Sequence, residues 1–169
     1  MIIKETKLPG VMTLERTAFE DFRGVYRNIF YDTDIPYVKF VEDDVSVSNK
    51  GVLRGIHGDD KTWKLITCLK GRFLLIVVCN DGGKYQGDTD YFTLSDSNNT
   101  QVLVPPKHGN GHLAMEDCIF HYKQSEYYGD NKQFTLRWDD YWWPKIPILS
   151  RRDSDVPNQL EVTLADEFE

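Results

Sequence analysis

Short runs of apolar and β-branched residues recur along the middle of the chain, and turn-forming residues separate them. In residues 72–79 nearly every position is apolar, which is typical of a strand buried on both faces. Lys-Gly, Asn-Asp-Gly-Gly, Ser-Asn-Asn and Pro-Pro interrupt the runs at fairly regular intervals. Many short strands at this spacing predict a sandwich or barrel. The predicted strands are residues 38–42, 64–69, 72–79, 90–94, 101–104 and 119–123.

The fold class predicted by this pattern is all-β, a double-layered jelly roll with a ligand pocket between its two sheets. Short helical segments are expected only near the C-terminus, after Pro144. No linker-like stretch divides the chain, so residues 1–169 are predicted to form a single domain.

Composition and charge narrow the classes of function. The chain has 169 residues, of which 40% are hydrophobic, and its net charge is −7. An acidic chain is a poor partner for nucleic acid, although a few local Arg and Lys side chains can still hold a small anion. No apolar run approaches the roughly 20 residues of a membrane span. Three cysteines without CxxC spacing, Cys68, Cys79 and Cys118, predict reduced thiols and a cytoplasmic protein.

The candidate chemistry begins in residues 51–57, which read Gly-Val-Leu-Arg-Gly-Ile-His. His57 ends this run, and Lys64 follows seven residues later. Regular strand alternation would place Arg54 and His57 on opposite faces, with Gly55 clearing space in front of the imidazole. A lone histidine in such a run is more often a hydrogen-bonded core residue, so a catalytic role needs support from the rest of the chain.

Seven motifs supply that support. They read D-F-R-G-V-Y at 21–26, F-V-E-D-D-V-S-V-S at 40–48, G-V-L-R-G-I-H at 51–57, K-L at 64–65, Q-V-L-V-P at 101–105, Y-K-Q-S-E-Y-Y at 122–128 and L-S-R-R-D at 149–153. In their order and spacing the chain resembles the RmlC-type nucleotide-sugar epimerases over residues 14–153. The resemblance implies a cupin-type jelly roll and an isomerase that uses neither a cofactor nor a metal. Its implied substrate is a 4-keto sugar linked to a nucleoside diphosphate.

The resemblance also implies a mechanism, in which the ketone acidifies the hydrogens at C3 and C5. His57 would be the base that removes a proton, since imidazole exchanges protons near neutral pH. Asp153 would orient and stabilise the imidazolium. Tyr122 would return a proton from the opposite face, and Lys64, with Arg54, would stabilise the oxyanion on O4.

Further positions are implied to bind the substrate. Arg23 would hold the pyrophosphate, since its planar fork fits phosphate geometry. Asn110 occupies the position of the family's second pocket histidine, and it can donate a hydrogen bond but cannot titrate. His108 and His112 replace aromatic residues of the family in the same segment. The other implied contacts are Asn28, Glu42, Asp44 and Tyr128.

Several of these positions depart from the family in a way that favours a different substrate. Glu42 and Asp44 stand where Gln and Asn are usual, so two hydrogen-bond donors are replaced by acceptors. Guanine carries the donors that such acceptors need, which favours a GDP sugar over a dTDP sugar. Residues 58–63 form a shorter loop than is usual, which favours a larger sugar such as a 4-keto-6-deoxy heptose. The pattern resembles relatives that make modified heptoses for bacterial capsules.

Alternatives remain open at this point. The chain could act on dTDP-4-keto-6-deoxyglucose, or invert one carbon instead of two. It could be a metal-dependent cupin with His57, His108 and His112 as ligands, although the usual H-x-H pair with a following glutamate is missing. It could also be a non-catalytic sugar-binding jelly roll. Because sheet edges need covering, we expect a homodimer, with a strand in residues 1–8 crossing to the partner.

Overall fold

The computed structural model describes residues 1–154. The single-domain prediction extends to residue 169, and residues 155–169 lie outside the described part. Within residues 1–154 the structure is almost entirely β. The strands are β1 (Ile2–Glu5), β2 (Met12–Glu15), β3 (Ala18–Asp21), β4 (Gly24–Arg27), β5 (Glu42–Ser48), β6 (Leu53–Gly58), β7 (Lys64–Lys70), β8 (Arg72–Cys79), β9 (Thr89–Ser95), β10 (Thr100–Val104), β11 (His108–Ala114), β12 (Cys118–Gln124) and β13 (Phe134–Thr135). A 3₁₀ turn spans Trp138–Asp140, and one helical turn, α1, spans Arg151–Ser154.

Two antiparallel sheets form the two layers of a jelly roll. Six strands are ordered β1-β2-β10-β7-β12-β5, and five are ordered β13-β6-β11-β8-β9. The main core fills one end of the space between the sheets, and Phe73, Leu75 and Val77 of β8 point into it. Ile76 and Val78 point the other way and lie under aromatic residues that precede α1. The prediction that residues 72–79 form a strand buried on both faces is therefore confirmed.

A second apolar layer covers the outer face of the six-stranded sheet. Ile35 and Val38, in the connection between β4 and β5, pack on Leu14, Leu65 and Leu103 of that sheet. The hairpin of β3 and β4 forms a separate two-stranded ribbon. Its apolar side chains are exposed, and Phe22 at its tip is 99% accessible.

Five of the six predicted strands are present, and the sixth is misplaced. Residues 38–42 do not form a strand; instead β5 begins at Glu42 and runs to Ser48. The observed strands that were not predicted are β2, β3, β4, β11 and β13. The N-terminal strand exists, but Ile3 pairs with Leu14 of β2, so β1 is used within its own chain. No helix in the described part of the chain is long and apolar enough to cross a membrane.

Candidate active site

A cavity of about 630 Å³ lies between the two sheets, at the end that the apolar core leaves open. This volume is in the usual range for small-molecule sites. Side chains of both sheets line it, and the segment that leads into α1 closes one side. The lining includes Glu42, Asp44, Arg54, His57, Lys64, Asn110, His112, Phe120, Tyr122, Tyr128, Gln133, Arg152 and Asp153.

His57 reaches the cavity because β6 contains a bulge. His57 pairs with Asn110 and Arg54 pairs with His112, so two residues of β6 face the single Gly111 of β11. The extra residue resets the alternation and places Arg54 and His57 in the same cavity. The predicted separation of these two side chains onto opposite faces is therefore wrong.

Gly55 serves the bulge, and the expected role of clearing space before the imidazole is wrong. A Cβ atom on Gly55 would lie 2.6 Å from the Gly111 Cα and 2.7 Å from the Asn110 carbonyl oxygen. The backbone of Gly55 also has a φ of +116°, which favours glycine. Its N–H donates a hydrogen bond of 3.2 Å to Oδ2 of Asp153. The glycine thus allows close strand contact and helps to hold the carboxylate.

His57 and Asp153 form a close pair. Nε2 of His57 lies 2.6 Å from Oδ1 of Asp153, whose side chain is only 4% exposed. Because a carboxylate only accepts, Nε2 carries the proton, which leaves the lone pair of the neutral ring on Nδ1. Burial lowers the pKa of His57, and Asp153 opposes that shift. The ring is thus neutral and oriented to accept a proton at Nδ1 near neutral pH.

Tyr122 lies on the wall opposite His57, because β12 belongs to the six-stranded sheet and β6 to the five-stranded one. Burial raises the pKa of the Tyr122 hydroxyl, and the nearby carboxylates of Asp44 and Glu42 raise it further. The phenol therefore stays protonated at neutral pH and can donate. A substrate held between the sheets would meet a base on one face and an acid on the other.

Lys64 and Asn110 meet across the gap between the sheets. Nζ of Lys64 lies 3.4 Å from Oδ1 of Asn110, and Lys64 is only 8% exposed. Burial lowers the pKa of Lys64, and Asp59 opposes that shift. Arg54 is anchored at the other end of the cavity by bonds to Ser48 Oγ and the Val47 carbonyl oxygen. These two cations can stabilise negative charge at two separate points.

Two carboxylates, Glu42 and Asp44, line the cavity on β5. Nε2 of Gln124 donates to Oε1 of Glu42 at 3.2 Å and to Oδ2 of Asp44 at 2.7 Å. The backbone N–H of Tyr128 donates to Glu42 at 3.1 Å. Partial burial raises the pKa of Glu42, and Asp44 raises it further. These acceptors are held in place for groups that donate hydrogen bonds.

Arg23 and Asn28 are not brought to this cavity. Arg23 sits near the tip of the β3–β4 hairpin with its side chain 77% exposed, and its NH2 lies 2.6 Å from Oδ2 of Asp21. Asn28 lies on the outer side of the six-stranded sheet, where it accepts from Arg16 and donates to the Phe30 carbonyl oxygen. Within one chain, Asn28 has a structural role, and the side chain of Arg23 does not reach the substrate cavity.

Two residues of the site, Arg152 and Gln124, were missed as candidates from the sequence. Arg152 lines the cavity, is 3% exposed and donates to Gln133 at 2.9 Å. Gln124 does not line the cavity, but it donates to both of the carboxylates that do. His112, considered from the sequence only as a metal ligand, lies on the cavity floor. The short loop of residues 58–63 contributes no lining residue. Asp59 instead folds that loop on itself by accepting from two of its backbone N–H groups.

The ligands needed by a metal-dependent cupin do not come together. Residues 1–154 contain no group of three or more His, Cys, Asp or Glu side chains arranged to hold a metal ion. His108 does not line the cavity, and its Nδ1 lies 3.1 Å from the carbonyl oxygen of Pro106.

A jelly-roll cavity with an oriented histidine and a partly buried tyrosine on opposite walls is an arrangement suited to an enzyme that moves protons on one bound substrate. A family model described as dTDP-4-dehydrorhamnose 3,5-epimerase matches residues 5–161. The chain belongs to this family and is an isomerase of nucleotide sugars.

Individual relatives agree with the family model. The chain is 30% identical to the dTDP-4-dehydrorhamnose 3,5-epimerase of Salmonella typhimurium over 93% of its length and 94% of the relative. It is also 30% identical to the enzyme of that name from Methanothermobacter thermautotrophicus, over 80% of the chain and 78% of the relative.

Solved structures show the same fold. The rmlC epimerase of Mycobacterium tuberculosis superposes with a TM-score of 0.86 at 26% identity, covering 93% of this chain and 88% of that one. An RmlC structure from Legionella pneumophila, in complex with dTDP-4-keto-L-rhamnose, gives a TM-score of 0.84 at 26% identity over 90% and 89% of the two chains. The prediction of an all-β cupin-type jelly roll is confirmed.

Proposed function

We propose that this enzyme epimerises C3, C5 or both in a nucleoside-diphosphate-linked 4-keto-6-deoxy sugar. The observation that carries the proposal is the placement of the His57–Asp153 pair and Tyr122 on opposite walls of one cavity. Inversion at carbon requires a proton to leave from one face and return to the other. A base and an acid that face each other meet this requirement without moving.

The reaction then follows from the contacts. Nδ1 of His57 takes the proton from the carbon beside the ketone, and the electron pair of that C–H bond moves to the carbonyl oxygen. The enolate oxygen lies near the Lys64 ammonium and the Asn110 amide, which can each donate to it. Asp153 stabilises the imidazolium that forms. Tyr122 gives its proton to the opposite face of the carbon, and solvent restores both groups.

For the nucleotide we propose GDP, and for the sugar a heptose. Glu42 and Asp44 support GDP, because both line the cavity and both are fixed by Gln124 as hydrogen-bond acceptors. The N1–H and amino group of guanine are donors that match them, whereas thymine offers one N–H. The heptose rests on the resemblance to the capsular branch alone, since the short loop does not border the cavity.

Titration with GDP and with dTDP tests the nucleotide. We expect GDP to bind more tightly to the wild type, and the Glu42→Gln, Asp44→Asn double variant to lose that preference. Loss of a hydrogen bond to a charged group corresponds to roughly ten- to a hundredfold in Kd. Asp43→Asn is the matched control, since Asp43 bonds to His121 and Lys123 on the other face of β5. Tighter binding of dTDP by the wild type would contradict the proposal.

We also propose that the enzyme is one catalytic domain that works as a homodimer in the cytoplasm. Strands β1 and β5 are edges of the six-stranded sheet. Val45 and Val47 of β5 are 57% and 69% exposed, and the β3–β4 hairpin exposes further apolar side chains. Covering these surfaces favours a second copy. Three buried free thiols support a reducing compartment.

In such a dimer, Arg23 could reach the diphosphate only in the cavity of the partner. Mixing two inactive variants, His57→Asn and Arg23→Ala, tests this arrangement. A mixed dimer then holds one site with both native residues. We expect recovery of roughly one quarter of the wild-type rate, because random exchange makes half of the dimers mixed. No recovery after subunit exchange, verified by a tag on one variant, would show that Arg23 does not act across the dimer.

A further inference from the structure

His112 is a polar side chain on the cavity floor that the mechanism above does not use. It is 3% exposed and lines the cavity. Its Nε2 is buried, and no described residue forms a hydrogen bond with it. An unpaired buried polar atom is unfavourable, so such atoms are rare in native structures. A ring nitrogen of this cavity-lining residue therefore has no hydrogen-bond partner among the described protein groups.

The surroundings of His112 fix its ring and its charge. The imidazole stacks on Phe120 with ring centres 4.0 Å apart and planes 10° apart, and Phe73 lies 5.2 Å away. Burial lowers the pKa of His112 to about 3, and Arg54 acts in the same direction, while Asp153 opposes it. The ring is thus neutral at working pH and can serve as neither base nor acid. It can still donate from one nitrogen and accept at the other.

The position of His112 along the cavity indicates which part of the substrate it meets. On β11, Asn110 is paired with His57, and His112 lies two residues further on, paired with Arg54. Alternate residues of a strand share a face about 7 Å apart. If Lys64 and Asn110 hold the C4 oxygen, the far side of the six-membered ring points to Arg54 and His112. That far side carries C1, with its phosphate, and the C2 hydroxyl.

We propose that His112 is a specificity residue that hydrogen-bonds an oxygen at the C1–C2 edge of the sugar. The oxygen is either the C2 hydroxyl or the phosphate oxygen attached to C1. This assignment rests on the proposed function, because the C4 oxygen at Lys64 and Asn110 sets the orientation of the ring. An aromatic residue at this position could pack on Phe120 in the same way but could not make the bond.

Kinetics of His112→Phe test the bond, because phenylalanine keeps the stacked ring and removes both ring nitrogens. With the 4-keto sugar nucleotide that the wild type converts best, we expect kcat/KM to fall by roughly three- to tenfold, mainly through KM. His112→Gln, which keeps a donor and an acceptor, should recover part of the loss. The acidic limb of the pH profile should not move, since a neutral His112 does not titrate there.

The 2-deoxy form of the same substrate separates the two oxygens. If His112 binds the C2 hydroxyl, His112→Phe and wild type should differ little on the 2-deoxy substrate. If it binds the phosphate oxygen, the loss should be equal on both substrates. A wild-type kcat/KM for His112→Phe on the normal substrate overturns the inference. Failure of the proposed function would give a different result, because the wild type itself would then convert no 4-keto sugar nucleotide.

A spectroscopic measurement covers the case in which His112→Phe does not fold. In wild-type protein labelled with ¹⁵N at histidine, binding of the sugar nucleotide should shift a ring nitrogen resonance of His112. Assignment can use His112→Gln, which lacks that signal. The same shift with the nucleoside diphosphate alone indicates the phosphate, and a shift only with the sugar present indicates the C2 hydroxyl. Unchanged His112 ring resonances at saturating sugar nucleotide overturn the inference.

Discussion

Replacing His57 with asparagine is expected to lower kcat by about 10²- to 10⁴-fold, the usual contribution of a positioned general base. Asparagine is similar in size and polar, but it cannot accept a proton from carbon. Because His57 lies at the cavity surface with 21% of its side chain exposed, the fold should survive the change. The rate is measured by the conversion of a 4-keto sugar nucleotide, and a thermal melt verifies folding.

His108→Asn is the matched control for this result. His108 lies on β11 and is also a buried histidine, but it does not line the cavity. We expect the control to keep most of the activity. A His57→Asn protein with near-native activity would refute the catalytic role of His57. A large loss in the control would revive a role for His108, as the metal-dependent alternative requires.

Asp153→Asn is expected to lower kcat by about 10²- to 10⁴-fold without removing the base itself. The carboxylate accepts from Nε2 of His57 at 2.6 Å, whereas an amide can donate to Nε2 and so favour the proton on Nδ1. The lone pair would then point away from the substrate. Oδ2 also accepts from the Gly55 N–H, so a small loss of stability is expected as well.

The pH dependence of kcat/KM provides a second test of Asp153→Asn. A general base acts in its neutral form, so activity falls as pH drops through its pKa. Burial lowers the pKa of His57, and the Asp153 carboxylate raises it. Removing that charge should lower the pKa further, and the acidic limb of kcat/KM should move to lower pH. A limb that moves to higher pH, or a rate loss below tenfold, would contradict the orienting role.

The strands that were predicted well are those in which burial alone decides the sequence. Residues 72–79 coincide with β8, because the main core lies on one face and the aromatic cover on the other. The error at β5 has the opposite cause. Glu42 and Asp44 line a polar cavity, while Val45 and Val47 are 57% and 69% exposed. In β5, therefore, polar side chains face the interior and apolar side chains are exposed, which is the reverse of an ordinary half-buried strand.

Strand β11 was missed because its glycines resemble a turn. A Cβ atom on Gly109 would lie 2.9 Å from Cγ2 of Ile56, and one on Gly111 would lie 3.1 Å from the Arg54 carbonyl oxygen. The strand needs these glycines to pack closely against the bulged β6. The same bulge explains why alternation failed to place Arg54 beside His57.

The sequence predicted those site residues that a family motif identifies individually. His57 and Lys64 are near each other in the sequence, Tyr122 and Asp153 are far from them, and all four line one cavity. Arg152 was not identified from the sequence, because an arginine in a charged run is usually solvated, whereas this cavity buries it. Arg23 is the reverse case, since its motif was recognised but its hairpin leads away from the cavity of its own chain.

The measurement that tests the central claim most directly is turnover of 4-keto nucleotide sugars by the wild type in D₂O, followed by mass spectrometry of the product. Removal of a proton beside the ketone predicts that solvent deuterium enters the sugar at C3, C5 or both. Two deuterons indicate inversion at both carbons, and one indicates inversion at a single carbon. An epimerised product without any deuterium would contradict proton abstraction by His57 with return of a solvent-exchanged proton from Tyr122.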